Sequence, residues 1–242
     1  MRMRVLVVVA AVVAVIAVAG GAGYVYYFSG LRAAPAHLGL SATPTATTTP
    51  TTTPSATASL AGSWTVTNGS VAGYRIKELF VGQASKHEAV ARTSVISGGL
   101  TASGGSSGYQ VSSLTFKANV SSLHSVDSVA GRDVTQRDGV VSRQLDVQQF
   151  PTATFVAASA SVPSAISVSP VDVTVSGKLT IHGVTKDVTV KAKAQLVGGQ
   201  AEIAGSTSIV MTDYGVSPPQ FPFVTVDSTL LLEFDIFLVR SA

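Results

Sequence analysis

The chain has 242 residues, enough for one large domain or two small ones with accessory segments. Charged residues make up 12% against 46% hydrophobic, and the net charge of +3 is too small and scattered for a nucleic-acid surface. Cysteine is absent, which excludes disulfides, thiolate metal sites, thioether-linked haem and a lipidated N-terminal cysteine.

Residues 1–30 open with "MRMR", and the stretch from Val5 to Phe28 that follows holds no charged side chain. At about 1.5 Å per residue such a helix is long enough to cross a hydrocarbon core of about 30 Å. Arg2 and Arg4 precede the run and only Arg32 follows it closely. That bias predicts a single-pass anchor at the cell membrane, N-terminus cytoplasmic and the remainder extracytoplasmic. A cleaved signal peptide is the competing expectation, since "AVA" at 17–19 resembles a processing site and would make the protein secreted. The run continuing through "YVYYF" favours the anchor, because aromatic residues suit a membrane–water interface.

Residues 31–61 read as a disordered linker. Its low-complexity part, "SATPTATTTPTTTPSATAS" at 41–59, has no large apolar side chain to bury. From 62 to 242 the pattern is strand after strand, with Gly- and Ser-rich segments such as "SGG", "ASGGSSG" and "VGGQ" read as the turns between them. Val171, Val173, Val175, Leu179 and Ile181 fall on one side; Asp172, Thr174, Lys178 and His182 fall on the other. Val188, Val190, Ala192, Ala194 and Leu196 alternate in the same way with Thr189, Lys191, Lys193 and Gln195. The final run sets Leu230, Leu232, Phe234, Ile236 and Leu238 against Glu233 and Asp235. This is the two-residue period of strands with one dry and one wet face.

Residues 125–148 break the alternation and hold the densest charge, predicting a short helical or irregular crossover over one end of the sheet. The expected fold is therefore all-β: a closed antiparallel barrel of about eight strands, with room for packed side chains or one small elongated ligand.

In "GKLTIHGVTKDVTV", residues 177–190, two alternating runs meet at His182-Gly183. A glycine there supplies the positive φ of a tight reversal, so the histidine reads foremost as a turn residue. Asp187 lies near enough in sequence to orient it, but no nucleophile signature such as G-x-S-x-G accompanies the pair. His37, His87 and His124 are isolated and read as stalk or surface residues without metal-ligand spacing. "SPPQFPF" at 217–223 reads as a rigid loop whose two phenylalanines stand at a pocket mouth or border the barrel.

The segments "GKLTIHGVTKDVTV", "RDGVVSRQLDVQQFPTATF" and "MTDYGV", in that order, resemble the YceI-like family, and "SWTVTNGSVAGYRIKELFVGQ" is similar to its opening strands. The resemblance spans Gly62 to Val239 and implies an extended, lipocalin-like barrel. It further implies a polyisoprenoid or isoprenoid-quinone lipid as ligand and no other cofactor. A homodimer is also compatible with the family, although the residues themselves carry no signature of one.

Under that reading the pocket lining is expected to comprise Tyr74, Ile76, Phe116, Phe155, Leu179, Ile181, Val188, Val190, Ile203, Ile209, Leu232 and Phe234. The competing reading of each is ordinary core packing, and an inward direction is better supported than ligand contact. Head-group contacts are sought at Arg132, Arg137, Arg143 and His182, since guanidinium groups pair with phosphate. The opposing expectation is that the arginines brace the crossover by pairing with Asp133 and Asp138. Three functions follow: a non-enzymatic carrier or store for an isoprenoid lipid, an envelope interaction domain with a side-chain-filled barrel, and, least supported, a hydrolase or isomerase using His182.

Overall fold

Among the described residues, twelve strands joined edge to edge form one antiparallel sheet that closes on itself. The computed structural model describes residues 17–18, 34–41, 59–129 and 131–241. Strands β1 (Gly62–Val66) and β2 (Val71–Phe80) lie end to end along one edge of β12 (Val224–Arg240). Next to them, β3 (His87–Thr93) pairs with β2 and β4 (Ile96–Gly105) pairs with β1, so they too form one broken strand. Beyond these come β5 (Gly108–Asn119) with the short β6 (His124–Ser125), then β7 (Thr152–Val162), β8 (Val171–Ile181), β9 (Val184–Val197) and β10 (Gln200–Val210), which returns to β12. With the broken strands merged, eight antiparallel staves close the barrel, the β7–β8 seam being the one joined over only a short stretch. The two-residue strand β11 (Gln220–Phe221) folds back on the start of β12.

The glycine-rich stretch after Ile96 is a strand and not the turn expected of it. A Cβ on Gly98 would fall 2.0 Å from the Thr115 carbonyl oxygen, and one on Gly99 would fall 2.1 Å from that of Trp64. The register shifts between Gly99 and Thr101, so these glycines admit a bulge where neighbouring backbones approach closely. Here glycine marks a crowded wall, not a chain reversal.

The crossover contains one helix, α1 (Gln136–Gln144), set between β6 and β7. Together with the His182-Gly183 turn and the β10–β12 connection it occupies one end of the barrel. The other end is packed by a cluster that includes Leu60, Trp64, Tyr109, Ile166 and Leu238. Pairing between β7 and β8 is confined to Thr154–Val156 against Lys178–Thr180, and the turn Ser164–Ser167 beyond it buries Ile166 in that cluster.

Residues 34–41, expected within the linker, lie against the outer wall. The Leu38 amide donates to Glu233 Oε2 at 3.2 Å, the Ser41 amide donates to Glu202 Oε1 at 2.6 Å, and Arg92 donates to the Ala36 carbonyl. This strap covers outward-facing groups, which explains why Arg75 and Glu233 are each only 2% exposed. Both are paired, since Arg75 Nε donates to Glu233 Oε2 at 2.7 Å. The expected anchor, residues 1–30, lies outside the described residues apart from 17–18. Among the described residues no helix is long and apolar enough to cross a membrane.

Candidate functional site

A cavity of about 760 Å³ runs inside the barrel. Its wall includes residues of β12 from Val224 to Leu238, about 14 steps of roughly 3.3 Å, so the space is long and narrow. Tyr74, Ile76, Phe116, Phe155, Leu179, Ile181, Val188, Val190, Ile203, Ile209, Leu232 and Phe234 all belong to this wall. They come from β2, β5, β7, β8, β9, β10 and β12, because a closed sheet turns every second side chain inward. The volume lies within the range of small-molecule sites, roughly 300–1,000 Å³.

One end of the cavity is capped by α1, which contributes Arg137, Val140, Val141 and Gln144 to its wall. Arg137 is held in a polar knot. It donates to Glu78 Oε1 at 2.6 Å and to Asp127 Oδ1 at 2.8 Å, while His87 Nε2 lies 2.6 Å from Asp127 Oδ2. Burial pushes the Asp127 carboxyl up, but bonds from His87, Arg137 and the Val90 amide outweigh it and hold the group well below the usual carboxylate range. His87 is therefore buried in this knot, not on the surface as its isolation in sequence implied. The chain separation of 40 residues between His87 and Asp127 left no local pattern to read. Tyr74 stands on the same wall, and burial holds its phenol above the ordinary range.

Of the expected head-group residues, Arg132 and Arg137 line the cavity, whereas Arg143 and His182 lie outside its wall. Arg132 is exposed and sits 4.2 Å over the Phe80 ring. Among the described residues Asp133 pairs with no arginine; its Oδ1 accepts from the Thr135 amide and hydroxyl. Asp138 accepts from the Ser125 amide.

His182 and Gly183 form the two-residue turn between β8 and β9, with φ of 50° and 74°. Positive values at both positions are what a type I′ hairpin requires. The imidazole Nδ1 faces the Tyr214 carbonyl at 3.2 Å, and Phe150 packs edge-on against the ring. Asp187, the carboxylate nearest in sequence, is instead bonded by Lys178 Nζ at 2.9 Å. The arrangement expected of a catalytic histidine is not assembled here.

The model of the YceI-like domain matches residues 42–238. The chain belongs to the YceI-like family. This YceI-like chain is 34% identical over 95 residues to UPF0312 proteins of Pseudomonas putida, a match covering 37% of it and 47% of theirs. It thus spans about half the length of the curated relatives it matches. Among solved structures it is similar to a polyisoprenoid binding domain from Saccharophagus degradans, with TM-score 0.49 and 16% identity, covering 74% of this chain and 98% of that one. Burkholderia cenocepacia BcnA gives TM-score 0.46 and 17% identity, covering 68% of this chain and 95% of that one.

Proposed function

We propose that this YceI-like domain is a non-catalytic carrier or store for a polyisoprenoid-type lipid, held at the outer face of a membrane by residues 1–30. The observation that carries the reading is the long apolar-walled cavity, which an interior filled by its own side chains would not leave. An isoprenoid chain exposes branched hydrocarbon, and each buried methylene-sized group contributes about 0.8 kcal/mol. Several such units inside a dry tube provide affinity with few polar contacts. The twelve wall residues named above would contact the chain, and Arg132 would face a polar head group at the capped end.

Family membership supports the same reading. A side-chain-filled barrel lacks its structural premise, since the interior holds about 760 Å³ of space. Solvent extraction of the purified full chain followed by mass spectrometry tests the proposal. A stoichiometric isoprenoid is expected. A chain that stays empty after incubation with isoprenoid quinones and polyprenyl phosphates overturns it.

A further inference from the structure

We propose that the Phe221-Pro222-Phe223 tip is a bilayer-docking surface through which the cavity exchanges its contents with a membrane. This rests on the lipid-binding reading and adds the surface at which loading occurs. Phe221 and Phe223 are 39% and 51% exposed, the only exposed aromatic residues among the described ones. Their rings stack at 5.3 Å with 17° between planes, so the two form one apolar face. Pro222 between them is exposed, and its ring fixes the backbone at the tip. Val81, 72% exposed, joins the patch, since its amide donates to the Phe223 carbonyl at 3.0 Å.

Two observations distinguish this patch from scattered surface apolar residues, which are ordinary. First, Phe221 and Phe223 also line the cavity, so the patch is continuous with the apolar lumen. A hydrocarbon chain passing between membrane and barrel across this face would not have to cross open water. Second, a cation stands on the same rim: Arg132 lies over Phe80, which pairs in register with Val224, the residue after Phe223. The acidic neighbour Asp133 is engaged by Thr135. An aromatic tip beside an arginine matches the chemistry of a bilayer interface, where rings enter the head-group region and the cation meets lipid phosphate. The opposite end of the barrel exposes Val168, just after the Ser164–Ser167 turn, and Val197, at the end of β9, and no aromatic residue among those described.

The chain has no cysteine, so Val81→Cys accepts a single environment-sensitive nitrobenzoxadiazole probe, with Ser106→Cys, on the β4–β5 turn at the far end, as the comparison site. Both full-length labelled chains are mixed with vesicles of phosphatidylcholine and phosphatidylglycerol, with and without brominated acyl chains. The proposal requires the position-81 emission to shift to the blue, rise several-fold and be quenched by the brominated lipid, while position 106 stays aqueous. Position 81 remaining in water, or both positions responding alike, overturns it. So does burial of position 81 in a chain–chain contact, seen as a blue shift without vesicles. Extraction of the same labelled protein is the separate arm. Bound isoprenoid with an aqueous position 81 removes the docking surface and leaves the cavity reading intact, and an empty cavity removes that reading whatever the probe reports.

Discussion

Arg137, in the first turn of α1, donates a 2.6 Å hydrogen bond to Glu78 on β2, so the helix capping the cavity is fastened to the barrel wall by a largely buried ion pair. The same guanidinium holds Asp127, whose side chain is fully buried. The cap is thus a bound part of the fold and not a loose flap.

Removing that cation takes from the buried Glu78 its guanidinium partner and leaves Asp127 with only His87 and the Val90 amide. Arg137→Met is expected to lower stability by about 3–5 kcal/mol, the usual consequence of breaking a buried pair from one side. Urea unfolding of the variant beside Glu78→Gln checks this. A loss below about 1 kcal/mol for Arg137→Met would show that the knot does not hold the cap.

Phe155→Trp enlarges a side chain that already borders the hollow. In a filled core such a change costs typically 1–3 kcal/mol through overpacking. Here the ring has free volume on its cavity side, so a stability change under about 1 kcal/mol is expected, together with reduced lipid per chain on extraction.

The turn histidine separates backbone conformation from chemistry. His182→Asn should leave both melting temperature and lipid content close to the parent, since Asn tolerates the φ of 50° recorded there. His182→Val should destabilise by about 1–2 kcal/mol, because a β-branched side chain in the left-handed region meets its own backbone. Thermal unfolding of the pair distinguishes the two. Equal melting temperatures would remove the turn argument.

Beneath the strap, burial and the neighbouring Glu202 carboxyl raise Asp235 to about 7. Gln195 donates to Glu202, and the Ser41 amide meets the same carboxylate from the strap side. A carboxyl with its folded pKa raised favours the native state fully below its unfolded value near 4, and that contribution is lost as pH rises through about 7. Strap contacts should therefore weaken as pH rises from about 4 through about 7 and change little above that. Hydrogen exchange at the Ser41 amide is expected to quicken over that window, and Asp235→Asn should flatten the dependence. A pH-independent exchange free energy in the parent would refute the assignment.

Much of the barrel was legible in the residues alone. Alternation along 171–181, 188–196 and 230–238 sorts inward from outward side chains, because a pleated strand has no other way to divide them. The His182-Gly183 reversal was likewise local, since two adjacent positive φ values need only the two residues that adopt them. The glycines of β4 were not legible as strand. Their role depends on the Thr115 and Trp64 carbonyls, which come from other staves. His87 gave no sign of burial, because its partner Asp127 arrives from the crossover.

What the sequence determined by itself was the class of fold, the apolar identity of its inner face and the place of its tightest turn, all consequences of short-range periodicity and backbone sterics. Tertiary structure alone decided that the inner face encloses space instead of meeting itself, and that Arg137 fastens a cap while residues 34–41 bind the outer wall. Those outcomes depend on how far apart the closed staves hold one another and on which distant charges meet, and no window of neighbouring residues contains either quantity.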